Sequence, residues 1–258
     1  MKLPIYKVDA FSGRLFSGNP AGVCPLDSWL PDQTMQAIAA ENNLSETAFF
    51  IPKGDDFELR WFTPSVEVDL CGHATLASAL VILSKLQPQR KEVRFWTKSG
   101  PLLVRRKGDL LELDFPSRKA VPIETPLELK EGLKQSPAET LKANDYLAVF
   151  ENEEQIRGLR PDFSRLLKLG DCVIVTAPGK DVDFVSRYFA PAFGIPEDPA
   201  TGSAHCTLVP YWSERLGKQR LTGRQVSARV GEFYCEDRGE RVGIAGKAVL
   251  YLEGIIYV

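Results

Sequence analysis

Two stretches of the chain carry residues that can do chemistry at matched positions. They are Glu67-Val68-Asp69-Leu70-Cys71-Gly72-His73 and Glu197-Asp198-Pro199-Ala200-Thr201-Gly202-Ser203, each followed by an apolar run that reads as a helix. A helix start leaves backbone N–H groups without intrahelical partners and carries about half a positive charge, so it attracts carboxylates and developing oxyanions. Glycine at that point lets a ligand approach the backbone closely. If the two helix starts face each other, the space between them becomes an anion site with His73 on one side and Asp198 and Ser203 on the other. That arrangement suits a small carboxylic acid held by the backbone of Gly72 and Gly202.

The elements that would position these residues can be read from pattern. Lys2 to Phe11 alternates as a strand, and Pro31 can open a helix in which Met35, Ile38 and Ala39 fall on one face before Asn42-Asn43 end it. Thr47 to Ile51 reads as a buried strand and Phe57 to Phe62 as an alternating one. Ala74 to Leu86 is apolar almost all round, as a central helix should be. Strands follow at about 92–97, 101–106 and 110–115. The Pro- and Glu-rich stretch from about 116 to 145 reads as a loop.

The chain also repeats itself. Arg60-Trp61-Phe62-Thr63-Pro64 is echoed by Arg187-Tyr188-Phe189-Ala190-Pro191, 127 residues later, and Gly72-His73-Ala74 by Gly202-Ser203-Ala204, 130 later. Leu30-Pro31-Asp32 returns as Arg160-Pro161-Asp162, and the strand ending at Pro52 returns as the one ending at Pro178. Four echoes in the same order predict two lobes of one α+β topology.

Composition sets the partners. The 258 residues hold 32 Lys+Arg against 34 Asp+Glu, a formal charge of −2, and the charges are interleaved. Such a balance argues against nucleic acid as a partner. No signal peptide pattern is seen and no run approaches the ~20 apolar residues of a spanning helix, so no membrane partner and a cytoplasmic location are expected. Five cysteines without CxxC pairs read as free thiols. No GxGxxG or GxxxxGK phosphate cradle occurs, so nicotinamide and ATP chemistry are not supported. A metal site gathering Cys71, His73, His205 and Cys206 is disfavoured, because no ligand pair has zinc-finger spacing.

Five ordered motifs, Ser17-Gly18-Asn19-Pro20-Ala21-Gly22-Val23, Asn43 to Phe49, Arg60 to Pro64, Cys71 to Thr75 and Asp198 to Ala204, together resemble the phenazine-biosynthesis PhzF-like family. The resemblance implies the diaminopimelate-epimerase fold, an α+β architecture of two pseudo-symmetric lobes, each wrapping a barrel-like mixed sheet around a central helix. The expected division is residues 1–115, completed by a C-terminal strand at 247–258, and residues 116–246. It further implies an isomerase without cofactor or metal, acting on a small carboxylate-bearing substrate between the lobes, in a homodimer. Carried over position by position, Glu46 matches the carboxylate that takes a proton from one carbon and delivers it to another. His73, Asp198 and Ser203 match residues that hold the substrate and assist, and Asn19 is a weaker candidate beside them.

Each assignment has a plainer rival. Glu46 could be a solvated carboxylate in a loop, His73 a packing residue, Asp198 a helix cap and Ser203 a simple helix-start hydroxyl. His205, two residues into its helix, is expected to point inward or to support the site. Two whole-protein alternatives stand beside the isomerase. One is a non-catalytic binding or interaction protein on the same fold. The other is a two-thiol epimerase, for which Cys71 is placed well but Cys206 is displaced by half a helical turn.

Overall fold

The computed structural model describes all 258 residues, and the chain divides into two compact units, Met1–Asp114 with Ala245–Val258, and Phe115–Ile244. In the first unit, β1 (Lys2–Ala10) lies between β2 (Asn19–Pro25) and the last strand of the chain, Ala248–Tyr257, antiparallel to both. Helix α1 (Asp32–Asn42) carries the chain over to β3 (Glu46–Lys53), which runs parallel to β2 with Ala21 opposite Glu46. β4 (Asp56–Phe62) returns antiparallel, the short β5 (Glu67–Val68) pairs with its end, and α2 (Gly72–Val81) follows. β6 (Glu92–Thr97), β7 (Gly100–Lys107) and β8 (Leu110–Pro116) form a meander.

Nine of the ten residues of α2 are buried, including its polar members. Ser78 and Thr75 solve the polar problem by donating to the carbonyls of Ala74 and Cys71, four residues back. The expected single helix to Leu86 is not uniform: it gives way to a π-helical turn over Ile82–Leu86. Pro31 stands one position before the first helical residue of α1 rather than at it, and Asn43 closes that helix at φ 47°, the left-handed conformation that asparagine tolerates.

The second unit repeats the order. After β9 (Val121–Pro122), α3 (Leu127–Leu133) and β10 (Glu139–Lys142), β11 (Tyr146–Val149) is linked through α4 (Glu153–Gly158) and α5 (Phe163–Leu166) to a parallel β12 (Val173–Pro178). β13 (Phe184–Ala190) returns antiparallel, β14 (Ile195–Asp198) pairs with its end, and the central helix α6 (His205–Leu216) follows. β15 (Arg220–Gln225) runs parallel to β13, as β6 does to β4, before β16 (Gly231–Asp237) and β17 (Arg241–Gly246).

The register of the two repeats matches at the level of single residues. Thr47 faces Phe62 as Val173 faces Phe189, and Trp61 faces Val68 as Tyr188 faces Asp198. Each unit also ties its central loop down with one forked ion pair: Arg60 to Glu67 at 2.7 and 2.8 Å, and Arg187 to Glu197 at 2.8 Å through both nitrogens. Such paired N–H···O bonds fix orientation as well as distance.

The reading of 116–145 as a loop is wrong. Leu129 and Leu133, one turn apart on α3, are both fully buried in the core of the second unit with Leu166 and Phe189. The prolines that suggested a loop sit outside the helix, Pro126 at its start, where a missing N–H costs nothing. No helix of the chain is long and apolar enough to cross a membrane.

Candidate functional site

Three elements of the first unit converge on one spot. Asn19 is the first residue of β2 and Glu46 the first of the parallel β3, so both lie at the same end of the sheet, and the open start of α2 delivers Cys71, Gly72 and His73. Gly18, at φ +66°, makes the turn into β2, and a Cβ there would sit 2.1 Å from the Ala10 carbonyl oxygen. Only glycine fits without moving that strand, so the approach of Asn19 is set by backbone sterics.

His73 is 4 % exposed and is held from both sides. Its Nε2 lies 3.2 Å from Oε2 of Glu46, while Nδ1 lies 3.2 Å from the Asn19 side-chain nitrogen and 3.5 Å from Sγ of Cys71. The Glu46–His73 contact has ion-pair distance but not hydrogen-bond angle, since neither atom counts as bonded by direction. Burial opposes a charge on His73, but the Glu46 carboxylate 3.2 Å away favours one, and the imidazole titrates well above its ordinary value. When the ring is charged, both nitrogens carry hydrogen, and a half-turn of the Asn19 amide brings its oxygen to Nδ1. The Cys71 thiol is pushed up to about 11, first by burial and then by the Glu46 charge, so it is a neutral group at pH 7.

Asn19 is fully buried and meets His73, a setting that suits support of the imidazole more than contact with a ligand. Glu46 differs: its side chain is 14 % exposed, enough to be reached while its partner is shielded. Gly72 opens α2 behind Cys71, and no side chain caps this end nor does an acidic residue stand in the first turn. The N–H groups of the first turn have no intrahelical acceptor, and the Glu46 carboxylate is the acidic group that stands beside this helix start. Donor atoms of Glu46, Cys71 and His73 all lie within 4.8 Å of one another, close enough to share a cation. Within the cluster His73 meets Glu46 through Nε2 and Cys71 through Nδ1.

In the second unit, Asp198 ends β14 and is 8 % exposed. It does not cap α6: the helix begins at His205 with Ala204 in the capping position, and Asp198 accepts instead from the Thr201 hydroxyl. Gly202 and Ser203 form the tight turn into α6, their carbonyls accepting from the N–H groups of His205 at 3.0 Å and Cys206 at 3.1 Å. Ser203 is partly exposed there. His205 turns inward. Its ring stacks on Phe233 with centroids 3.7 Å apart, its Nδ1 lies 2.9 Å from the Thr201 carbonyl oxygen, and burial pulls its pKa down to about 4. Cys206 is 1 % exposed and its thiol is pushed up to about 11 by burial, which leaves it poorly suited to act as an acid or base at neutral pH.

Sequence reasoning missed Gln225. Fully buried on β15, it reaches back across the Asp198–Thr201 turn, its Nε2 donating to the Asp198 carbonyl at 2.6 Å and its Oε1 accepting from the Thr201 N–H at 2.8 Å. A glutamine 27 residues downstream gives no local signal, since nothing in its spacing links it to the motif.

Comparison with known proteins gives the family. The family model described as phenazine biosynthesis-like protein, PhzC-PhzF, matches residues 8–254. An uncharacterized isomerase of Pseudomonas aeruginosa is 55 % identical over the full length of both chains. The crystal structure of a PhzF-family phenazine biosynthesis protein of Enterococcus faecalis superposes with a TM-score of 0.97 at 45 % identity, covering all of both chains. A hydroxyproline epimerase of Agrobacterium vitis, at 12 % identity and a TM-score of 0.60 over 99 % of this chain and 92 % of its own, shares the fold alone. The expected epimerase-type α+β fold is thus the observed one, and the chain belongs to the phenazine biosynthesis-like PhzC-PhzF family.

Proposed function

We propose that this protein is a cofactor-independent isomerase that moves a proton within a small carboxylate-bearing substrate, with Glu46 as the group that carries it. The isomerase names of its full-length relatives support the reaction class. The observation that carries the residue assignment is the pairing of a reachable Glu46 with a buried His73, 3.2 Å apart, beside the uncapped start of α2.

In the proposed step the Glu46 carboxylate accepts a proton from one carbon of the substrate, and the electron pair left behind delocalises within the substrate. The protonated Glu46 then returns the proton to a different carbon. Atoms and charge balance without an external oxidant or reductant. As the carboxylate gains its proton the ion pair with His73 weakens, and it reforms on return. The N–H groups of Gly72 and Gly202 are assigned to the substrate carboxylate, and His73, Asp198 and Ser203 to holding the substrate. A homodimer in the cytoplasm completes the reading and is checked by sedimentation and by fractionation of cells.

The test is deuterium incorporation from D2O into a panel of cyclic and amino-acid-like carboxylates. Incorporation by wild type that disappears in Glu46→Gln supports the proposal. A folded wild type that exchanges nothing across the panel refutes it and favours a binding role.

A further inference from the structure

Resting on the reading above, we infer that Gln225 and Thr201 form a hydrogen-bond relay whose task is to hold Asp198 as a hydrogen-bond acceptor, making both of them positioning residues for the second unit's part of the reaction. The polarity of the relay follows from the atoms. Gln225 Oε1 accepts from the Thr201 N–H at 2.8 Å, which fixes the amide so that Nε2 faces the Asp198 carbonyl at 2.6 Å and Thr201 Oγ1 at 3.2 Å. A reversed amide would set its oxygen against the Asp198 carbonyl oxygen and its nitrogen against the Thr201 N–H, losing both bonds. The Thr201 hydroxyl, accepting from Nε2, is left to donate its own hydrogen, and the Asp198 carboxylate receives it through Oδ2.

The Thr201 hydroxyl hydrogen thus lies on Oδ2 of Asp198, which meets its neighbours there as an acceptor. Asp198 therefore enters the reaction as an acceptor, and the travelling proton is left to Glu46. The turn that carries the relay is fixed independently: the Ser227 hydroxyl donates to the Pro199 carbonyl at 2.7 Å, and Gly231 packs so closely that a Cβ there would lie 2.6 Å from Cβ of Ala200. Gln225 itself is anchored in the sheet between Gly231 and Ser186. The glutamine side chain thus acts from a sheet strand on a turn that is itself packed and hydrogen-bonded, the arrangement expected of a group that sets another's geometry.

The test uses the D2O exchange assay with whichever panel carboxylate wild type labels. Thr201→Val, which loses the bond to the Asp198 carboxylate, and Gln225→Leu, which loses the bonds that orient that hydroxyl, are each expected to lower kcat/KM about ten- to a hundredfold. Because both break the same relay, the double variant falls no more than about threefold below the poorer single one. Thr201→Ser keeps the hydroxyl and stays within about threefold of wild type, a rescue that a purely steric role would not give. Should Gln225→Leu fold poorly, Gln225→Met replaces it, since methionine is close to glutamine in length and shape and has no N–H donor. Losses that multiply in the double variant, or wild-type kcat/KM in Thr201→Val, overturn the relay. Exchange that depends on Glu46 in the same preparations leaves the functional reading standing in that event.

Discussion

Acidification is expected to destabilise the second unit through one residue, His205. Its ring is fully buried, stacked on Phe233, and within 5.8 Å of the Phe184 ring centroid, while Nε2 has no hydrogen-bond partner. Burial holds its pKa at about 4 against an ordinary value of 6.5. In the unfolded chain the ring takes up a proton near pH 6.5, whereas the folded protein resists until about pH 4. Between those values the unfolded state binds more protons, so stability falls as pH falls, and above pH 6.5 the effect is absent. A difference of about 2.5 pH units at 1.36 kcal/mol each amounts to about 3 kcal/mol. The assay is the urea midpoint of wild type and His205→Leu at pH 7.0 and 4.5, with the histidine proton signals followed by NMR. Wild type should lose about 2–3 kcal/mol more than the variant over that interval. Equal losses in the two proteins, or a His205 signal titrating near 6.5, would refute the reasoning.

Other perturbations test the first unit. The chain's other histidine should behave in the opposite sense, titrating well above its ordinary value, and Glu46→Gln should lower its NMR titration midpoint by removing the carboxylate 3.2 Å away. Because the folded pKa of His73 is raised, its contribution to stability is complete below pH 6.5 and is lost as pH rises through the folded value. Gly18→Ala combines a positive φ with a Cβ 2.1 Å from a backbone oxygen, so a loss of about 2–4 kcal/mol is expected by chemical denaturation, together with reduced exchange as Asn19 shifts. Arg187→Met breaks the forked pair to Glu197, which is half-buried, and should cost about 2–3 kcal/mol, whereas the same change at exposed Arg105 should cost under about 0.5 kcal/mol.

How much of this was legible in the sequence depends on whether the signal was local. Asn43 announced the end of α1 because a left-handed cap has few occupants, and the repeated Arg-aromatic-Phe pattern announced two copies of one topology because each arginine must pair with a glutamate at the next strand. The triad of Asn19, Glu46 and His73 could be nominated but not assembled, since its geometry depends on β2 and β3 being parallel neighbours. Residues 116–145 misled because prolines flanking a short helix look like prolines breaking one. Asp198 was open to reading as a cap because a helix start was read a few residues early, and the tight turn at Gly202–Ala204 intervenes. Gln225 was invisible: its role arises from strand pairing in the folded unit.

The central claim is that Glu46 carries a proton between two carbons of one substrate. The most direct measurement is the position of deuterium in a turned-over carboxylate, by NMR, after reaction in D2O with wild type and with Glu46→Gln. The account predicts label at the receiving carbon with wild type and none with the variant. Undiminished labelling by Glu46→Gln would contradict it.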